Sequence, residues 1–270
     1  MNRIPVPILL TVLLTACVAG VTKAPLAAPS LTPSPTPSPT AAATLAVPSA
    51  TSIPSLMPAP TVTPACEPIK IMPLGDSITY GEGIVSYGGY RNLLGALLES
   101  EGVLFDFVGS QRSGAESIAD ADNEGHSGWT TSYLRMGIDT QGWLETYQPH
   151  LILLHIGTND LRDGHPLYAA RDLSALLDDI LTRLPDTQVI VARIIRTRWG
   201  TDTKHVDFNN AIPELVTAKG AQVSMVDMQD ILSKGDLISL FHPSPRGYDK
   251  MAHAWMTAIL ALDLGKCANP

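Results

Sequence analysis

Basic residues are scarce in this chain of 270 residues: 18 Lys and Arg stand against 26 Asp and Glu, for a formal net charge of −8. With no basic footprint, the composition argues against nucleic acid as a partner. The acidic excess fits solubility or a neutral substrate. Long apolar runs are also missing, since the stretch from Ile8 to Leu14 behind Arg3 is too short to span a bilayer and reads as an export signal. Cysteine is limited to Cys17, Cys66 and Cys267. Apolar bulk is sparse through residues 22 to 65, which are mostly Pro, Thr, Ser and Ala and include LTPSPTPSPT. Such a segment buries too little to offset its ordering entropy, and it is expected to be an extended, polyproline-like linker. What remains, roughly 200 residues from Glu67 onward, is enough for one sizeable core.

The leader ends in Leu14, Thr15, Ala16 and Cys17. This LTAC resembles the lipobox of bacterial lipoproteins, which implies a signal peptide over residues 1–16 and a lipid on Cys17. The chain would then be exported and held at the bacterial cell surface or outer envelope, with residues 17–65 as the tether and 66–270 as the domain. An ordinary signal peptide with an incidental cysteine is the alternative. Cys66 and Cys267 flank the domain, and in an exported chain that placement points to one disulfide joining its ends, or else to two free thiols. In the chain-entropy picture, such a closure contributes on the order of 5 kcal/mol.

Within the domain, apolar segments alternate with helical patterns. Ile69–Leu74, Leu104–Val108, Leu151–Ile156, Val189–Ile195 and Val223–Met228 read as five strands. LILLHI at 151 to 156 is apolar throughout, as a strand covered on both faces must be. Helical spacing is clearest at Leu173, Leu176, Leu177, Ile180, Leu181 and Leu184. It recurs at Tyr90 to Leu98 and, behind Ser244 and Pro245, at Tyr248 to Leu260. Residues 110 to 129, with AESIADADNEGHSGW, are polar and aperiodic and are expected to be a long functional loop. The alternation predicts an α/β fold, a five-stranded parallel sheet between two helical layers.

In such a sheet, ligands bind beyond the carboxyl ends of the strands. There the first three strands end in Ser77, Gly109 and Asn159. A serine can attack a carbonyl if a base removes its proton, while the amides of Ser77 and Gly109 and the carboxamide of Asn159 can receive the oxyanion. Singly, Gly109 is also a common strand-ending turn, and Asn159 a common cap. Of the seven histidines, His150 and His155 border or lie within a strand, and His165, His205 and His253 belong to helices or their approaches. His126 is ambiguous. His242, on the loop before the last helix, is the histidine placed to reach Ser77.

GDSIT at Ser77, VGS at Gly109, GTND at Asn159 and HP at His242 resemble, in order and spacing, the four blocks of the SGNH hydrolase (GDSL esterase) superfamily. PLGDSITYG, GGYR, DFVGS, EGHSGW and HPSPRGY look like the acetyl xylan esterase branch of carbohydrate esterase family 3. The resemblance implies a flavodoxin-like three-layer α/β/α sandwich, with Ser77 as nucleophile and His242 as base. It also implies an oxyanion hole of Ser77, Gly109 and Asn159, deacetylation through an acyl-enzyme, and no metal or other cofactor. GHSGW is not the nucleophile elbow of the α/β-hydrolases, because Trp129 stands where the second glycine belongs, so Ser127 is a decoy. Asp76 and Asp160 are expected to brace loops by accepting backbone hydrogen bonds.

One position departs from the family. Three residues before the histidine, where the superfamily carries an orienting aspartate, this chain has Ser239, while Asp236 matches a separate, outer aspartate. Loss of the orienting carboxylate costs a triad about 10⁴-fold in turnover. Three readings stay open: Ser239 or a backbone carbonyl orients His242, Asp236 swings in, or the pocket persists with little activity. The resulting expectation is a serine esterase acting on an acetylated carbohydrate such as xylan. A tethered carbohydrate-binding pseudoenzyme, or an esterase or lysophospholipase for another acyl ester, is the alternative.

Overall fold

The computed structural model describes residues 67–114, 116–198 and 203–264, all within the compact unit Pro60–Pro270. The leader, Cys17, the linker and the expected Cys66–Cys267 pair lie outside the described residues.

The strands are β1 (Ile69–Gly75), β2 (Phe105–Phe107), β3 (Gln111–Arg112), β4 (Asp122–Gly125), β5 (Leu151–His155), β6 (Gln188–Arg193) and β7 (Val223–Asp227). The five expected strands are all present and pair in parallel, β2 and β5 flanking β1 and the sheet continuing through β6 to β7. Side chains alternate between the faces, as strand geometry requires. Ile71, Leu151, Leu153 and Ile190 enter one core, whereas Met72, Leu74, Ile152, Leu154 and Val189 enter the other.

The first core is closed by α2 (Arg91–Ser100) and α8 (Pro245–Leu260), whose Tyr248, Met251, Trp255 and Ile259 face inward. The second is closed by α3 (Thr131–Gln141), α4 (Trp143–Tyr147), α6 (Pro166–Arg183) and α7 (Thr203–Ala218). Ser244 caps α8 by accepting the Gly247 amide, with Pro245 following. Two single turns complete the helices, α1 (Ser77–Tyr80) and α5 (Thr158–Asp163), each directly behind a strand.

Residues 110 to 129 differ from the expected irregular loop. They contain β3 and β4, which pair with each other antiparallel, and β4 also adds in parallel to the end of β1 through Leu74↔Glu124 and Gly75↔Gly125. Among the described residues, the sheet therefore has seven strands. Apolar periodicity could not reveal β4, because its buried residues are Asn123, Glu124 and Gly125, and the two buried side chains, those of Asn123 and Glu124, are polar. Their polar groups are satisfied internally, the Asn123 side chain donating to the Ala121 carbonyl at 3.0 Å and accepting the Gly125 amide at 3.0 Å.

One edge of β1 is thus shared. Its first half pairs with β2, ending where the Val108 amide meets the Ile71 carbonyl, and its second half with β4, where the His126 amide meets the Gly75 carbonyl. Pro73 lies between them. Strand alternation turns its nitrogen toward this edge at the handover, where the missing N–H removes no ladder bond.

Candidate active site

At the end of β1, a side chain on Gly75 would overlap the His155 carbonyl, so the ends of β1 and β5 sit tightly together. Asp76 then caps α1, one carboxylate oxygen accepting the Ile78 amide at 2.9 Å, and Gly81 closes the turn in the left-handed conformation at φ 88°. Ser77, the first residue of that turn, holds its hydroxyl at the carboxyl end of the sheet.

His242 arrives from the far end of the chain. Leu237 and Pro243 form a bridge, and the Ile238 amide bonds the His242 carbonyl at 3.0 Å, which fixes the loop ahead of α8. This geometry brings His242 Nε2 to 2.9 Å from Ser77 Oγ, within direct proton-transfer reach. Burial lowers the pKa of the imidazole from its ordinary value and Glu82 partly opposes the shift, a balance that favours the neutral ring.

On the other side of the ring, Ser239 Oγ lies 3.1 Å from Nδ1. Asp236 is occupied elsewhere. Its carboxylate binds Lys250 Nζ at 2.7 Å, the Ser233 amide and hydroxyl at 2.8 and 2.7 Å, and Arg246 Nε at 2.6 Å. Lys250, Ser233 and Arg246 hold this carboxyl well below the usual range and tie it to α8. Ser239, three residues closer in sequence, makes the contact to the imidazole.

Gly109 follows β2 with φ 153°, and a Cβ there would overlap the backbone carbonyl of Asn123, so only glycine fits beside β4. Asn159, on α5 behind β5, donates one Nδ2 hydrogen to the Trp129 carbonyl at 2.9 Å, which pins the carboxamide and leaves its second N–H for a ligand. Asp160 accepts the Thr131 amide at 3.0 Å, joining α5 to α3. Ser127 stands on an exposed turn after β4.

The profile of the GDSL-like Lipase/Acylhydrolase family matches residues 74–250. This chain belongs to that family. The chain is 32% identical over 223 residues to a multidomain esterase from Ruminococcus flavefaciens, covering 72% of this chain and less than a third, 29%, of that protein's length. Among solved structures, a Clostridium thermocellum family 3 carbohydrate esterase is 38% identical, with a TM-score of 0.64 over 74% of this chain and 100% of the other. An acetyl esterase mutant with acetate ion is 26% identical, with a TM-score of 0.60 over 72% and 97% of the two chains.

Behind the strand ends, the domain carries a support that residue types alone did not single out. Glu124, fully buried on β4, accepts the amide and the hydroxyl of Ser110 at 2.7 Å each. Its carboxylate also meets His126 Nε2 at 2.6 Å. The His126 ring stacks against Trp129 at 4.1 Å and against Trp143 at 4.7 Å, the two indoles touching each other at 6.0 Å. His126 is therefore tied to Glu124 and two indoles, and the same carboxylate clamps the residue after Gly109. Arg91, also buried, donates to the carbonyls of Ala121 and Ser113 at 2.7 and 3.0 Å and fixes the segment leading to β4. The EGHSGW and GGYR strings held the signal, but only the fold reveals what they brace.

Proposed function

We propose that this SGNH esterase removes O-acetyl groups from a carbohydrate, of the class of acetylated xylan or a related polysaccharide, through an acyl-enzyme on Ser77. The observation that carries the reading is the 2.9 Å contact between Ser77 Oγ and His242 Nε2 at the carboxyl end of the sheet. In this reading, His242 takes the Ser77 proton as Oγ attacks the acetyl carbon. The amides of Ser77 and Gly109 and the Asn159 carboxamide receive the oxyanion. The imidazolium then returns the proton to the departing sugar hydroxyl. Water, activated by the same ring, releases acetate and restores the serine.

A groove of about 400 Å³ whose lining mixes ring faces with hydrogen-bonding groups supports a sugar as the alcohol component. It begins at Asn159 and passes Thr130, Tyr133, His165, Tyr168 and Asp172. Tyr133 and Tyr168 are 55% and 62% exposed, and the Arg171 guanidinium lies 5.2 Å over the Tyr168 ring. Ring faces beside hydrogen-bonding groups suit a pyranose better than an acyl chain. The family 3 carbohydrate esterase and the acetyl esterase among the structural relatives agree with this choice.

Export with a lipid on Cys17, tethering through residues 17–65, and a Cys66–Cys267 disulfide complete the proposal on sequence grounds. Ser77→Ala should abolish acetate release from acetylated xylan, and undiminished release refutes the nucleophile. Ser239, in place of an orienting carboxylate, favours a second reading, a carbohydrate-binding domain with little turnover. Covalent labelling of Ser77 by a fluorophosphonate supports the enzyme, and absence of labelling supports the binder.

A further inference from the structure

We infer that Ser239 holds neutral His242 in the tautomer that carries its proton on Nε2, the reverse of what a base facing Ser77 requires, and so throttles the esterase. A serine hydroxyl has two lone pairs and one hydrogen. The amides of Phe241 and His242 donate to Ser239 Oγ at 3.1 and 2.9 Å, which occupies both lone pairs. His242 Nδ1 is the third neighbour of that oxygen, at 3.1 Å. The hydroxyl hydrogen is what remains for this contact, so Ser239 donates and Nδ1 accepts. A neutral imidazole with its lone pair on Nδ1 carries its proton on Nε2.

Nε2 faces Ser77 Oγ at 2.9 Å. In this tautomer, Nε2–H donates to the nucleophile instead of drawing its proton away. Turnover then waits on exchange of the ring proton from Nε2 to Nδ1, with the Ser239 hydroxyl turned aside. The imidazolium of the transition state meets the same obstacle, because its Nδ1–H points at an oxygen whose lone pairs are taken. A carboxylate at this position has about four acceptor sites, enough for both amides and for Nδ1–H. Serine keeps the loop shape and reverses the polarity of one hydrogen bond.

The kinetic consequence rests on the proposed roles of Ser77 and His242, whereas the tautomer itself does not. The test uses the full chain with ¹⁵N-labelled histidine at pH 8, with the His242 ring signals identified by their loss in His242→Gln. The expected result is a pyridine-like Nδ1 and a pyrrole-like Nε2, with the order reversed in Ser239→Asp and its kcat for acetate release raised about tenfold or more. A pyrrole-like Nδ1 in the native chain overturns the inference, as does an order unchanged in Ser239→Asp. Reversal with no gain in kcat overturns the throttling. If aspartate unsettles the loop, Ser239→Ala removes the donor and should give averaged ring signals, and unchanged signals there also refute the assignment. Ser77→Ala reads the nucleophile separately, so failure of that role and failure of the tautomer give different results.

Discussion

Asp76 directly follows Gly75, the strand residue paired with His155, and both side chains are completely buried. Burial pushes the Asp76 carboxyl up to about 7 and the His155 imidazole down to about 4, so both prefer to be uncharged in the folded chain. Their effects on stability run in opposite directions. For Asp76, the folded state binds the proton more tightly, so its contribution is intact below the unfolded pKa near 3.8 and is lost as pH rises through about 7. For His155, the contribution is intact above 6.5 and is lost as pH falls through about 4.

Asp76→Asn keeps an oxygen for the Ile78 amide and removes the titration. Its stability in urea melts should match the native chain near pH 4 and exceed it by about 4 kcal/mol at pH 8, the value of a shift of roughly three pH units. A difference that stays constant over that range contradicts a buried Asp76 that charges only near neutrality.

Glu124→Gln leaves one oxygen where two served the Ser110 amide, the Ser110 hydroxyl and His126. At least one donor, on exposed Ser110 or half-buried His126, then loses its acceptor, a cost of about 1 kcal/mol in stability. The Gly109 amide, next along the chain, loses its fixed aim. We expect kcat on a small acetate ester to fall about 10- to 100-fold with a lesser change in KM, as when an oxyanion donor is misplaced. An unaltered kcat beside a lowered Tm would leave Glu124 with a purely structural task.

Tyr133→Ala and Tyr168→Ala each remove an exposed ring from the groove that begins at Asn159. Covering an aromatic ring face is worth on the order of 1 kcal/mol per ring. The double variant should therefore raise KM for acetylated xylan at least about tenfold more than KM for a small acetate ester. Equal changes for both substrates would remove the groove from glycan recognition.

The sequence made the layers legible because burial on both faces forces continuous apolar strands such as LILLH, and one-sided burial forces the helical stripe Tyr248, Met251, Trp255, Ile259. It also brought out Ser77 and His242, since a small polar residue at a strand end and a histidine on a facing loop are visible without coordinates. β4 was hidden because Asn123 and Glu124 replace apolar burial with internal hydrogen bonds, which no periodicity records. The task of Asp236 was hidden for a related reason. Its partners Arg246 and Lys250 lie 10 and 14 residues further on, and only α8 brings them to one carboxylate.

Pro73 divides one margin of the central strand into two independent berths, β2 moored in the first and β4 in the second. The excursion between them leaves and returns through a seam that holds no ladder bond of its own. Segments of different length can be spliced there while both moorings hold, and Gly109 keeps its post at the seam's lip. Length can thus vary between the two berths as long as Glu124 still reaches Ser110 beside Gly109.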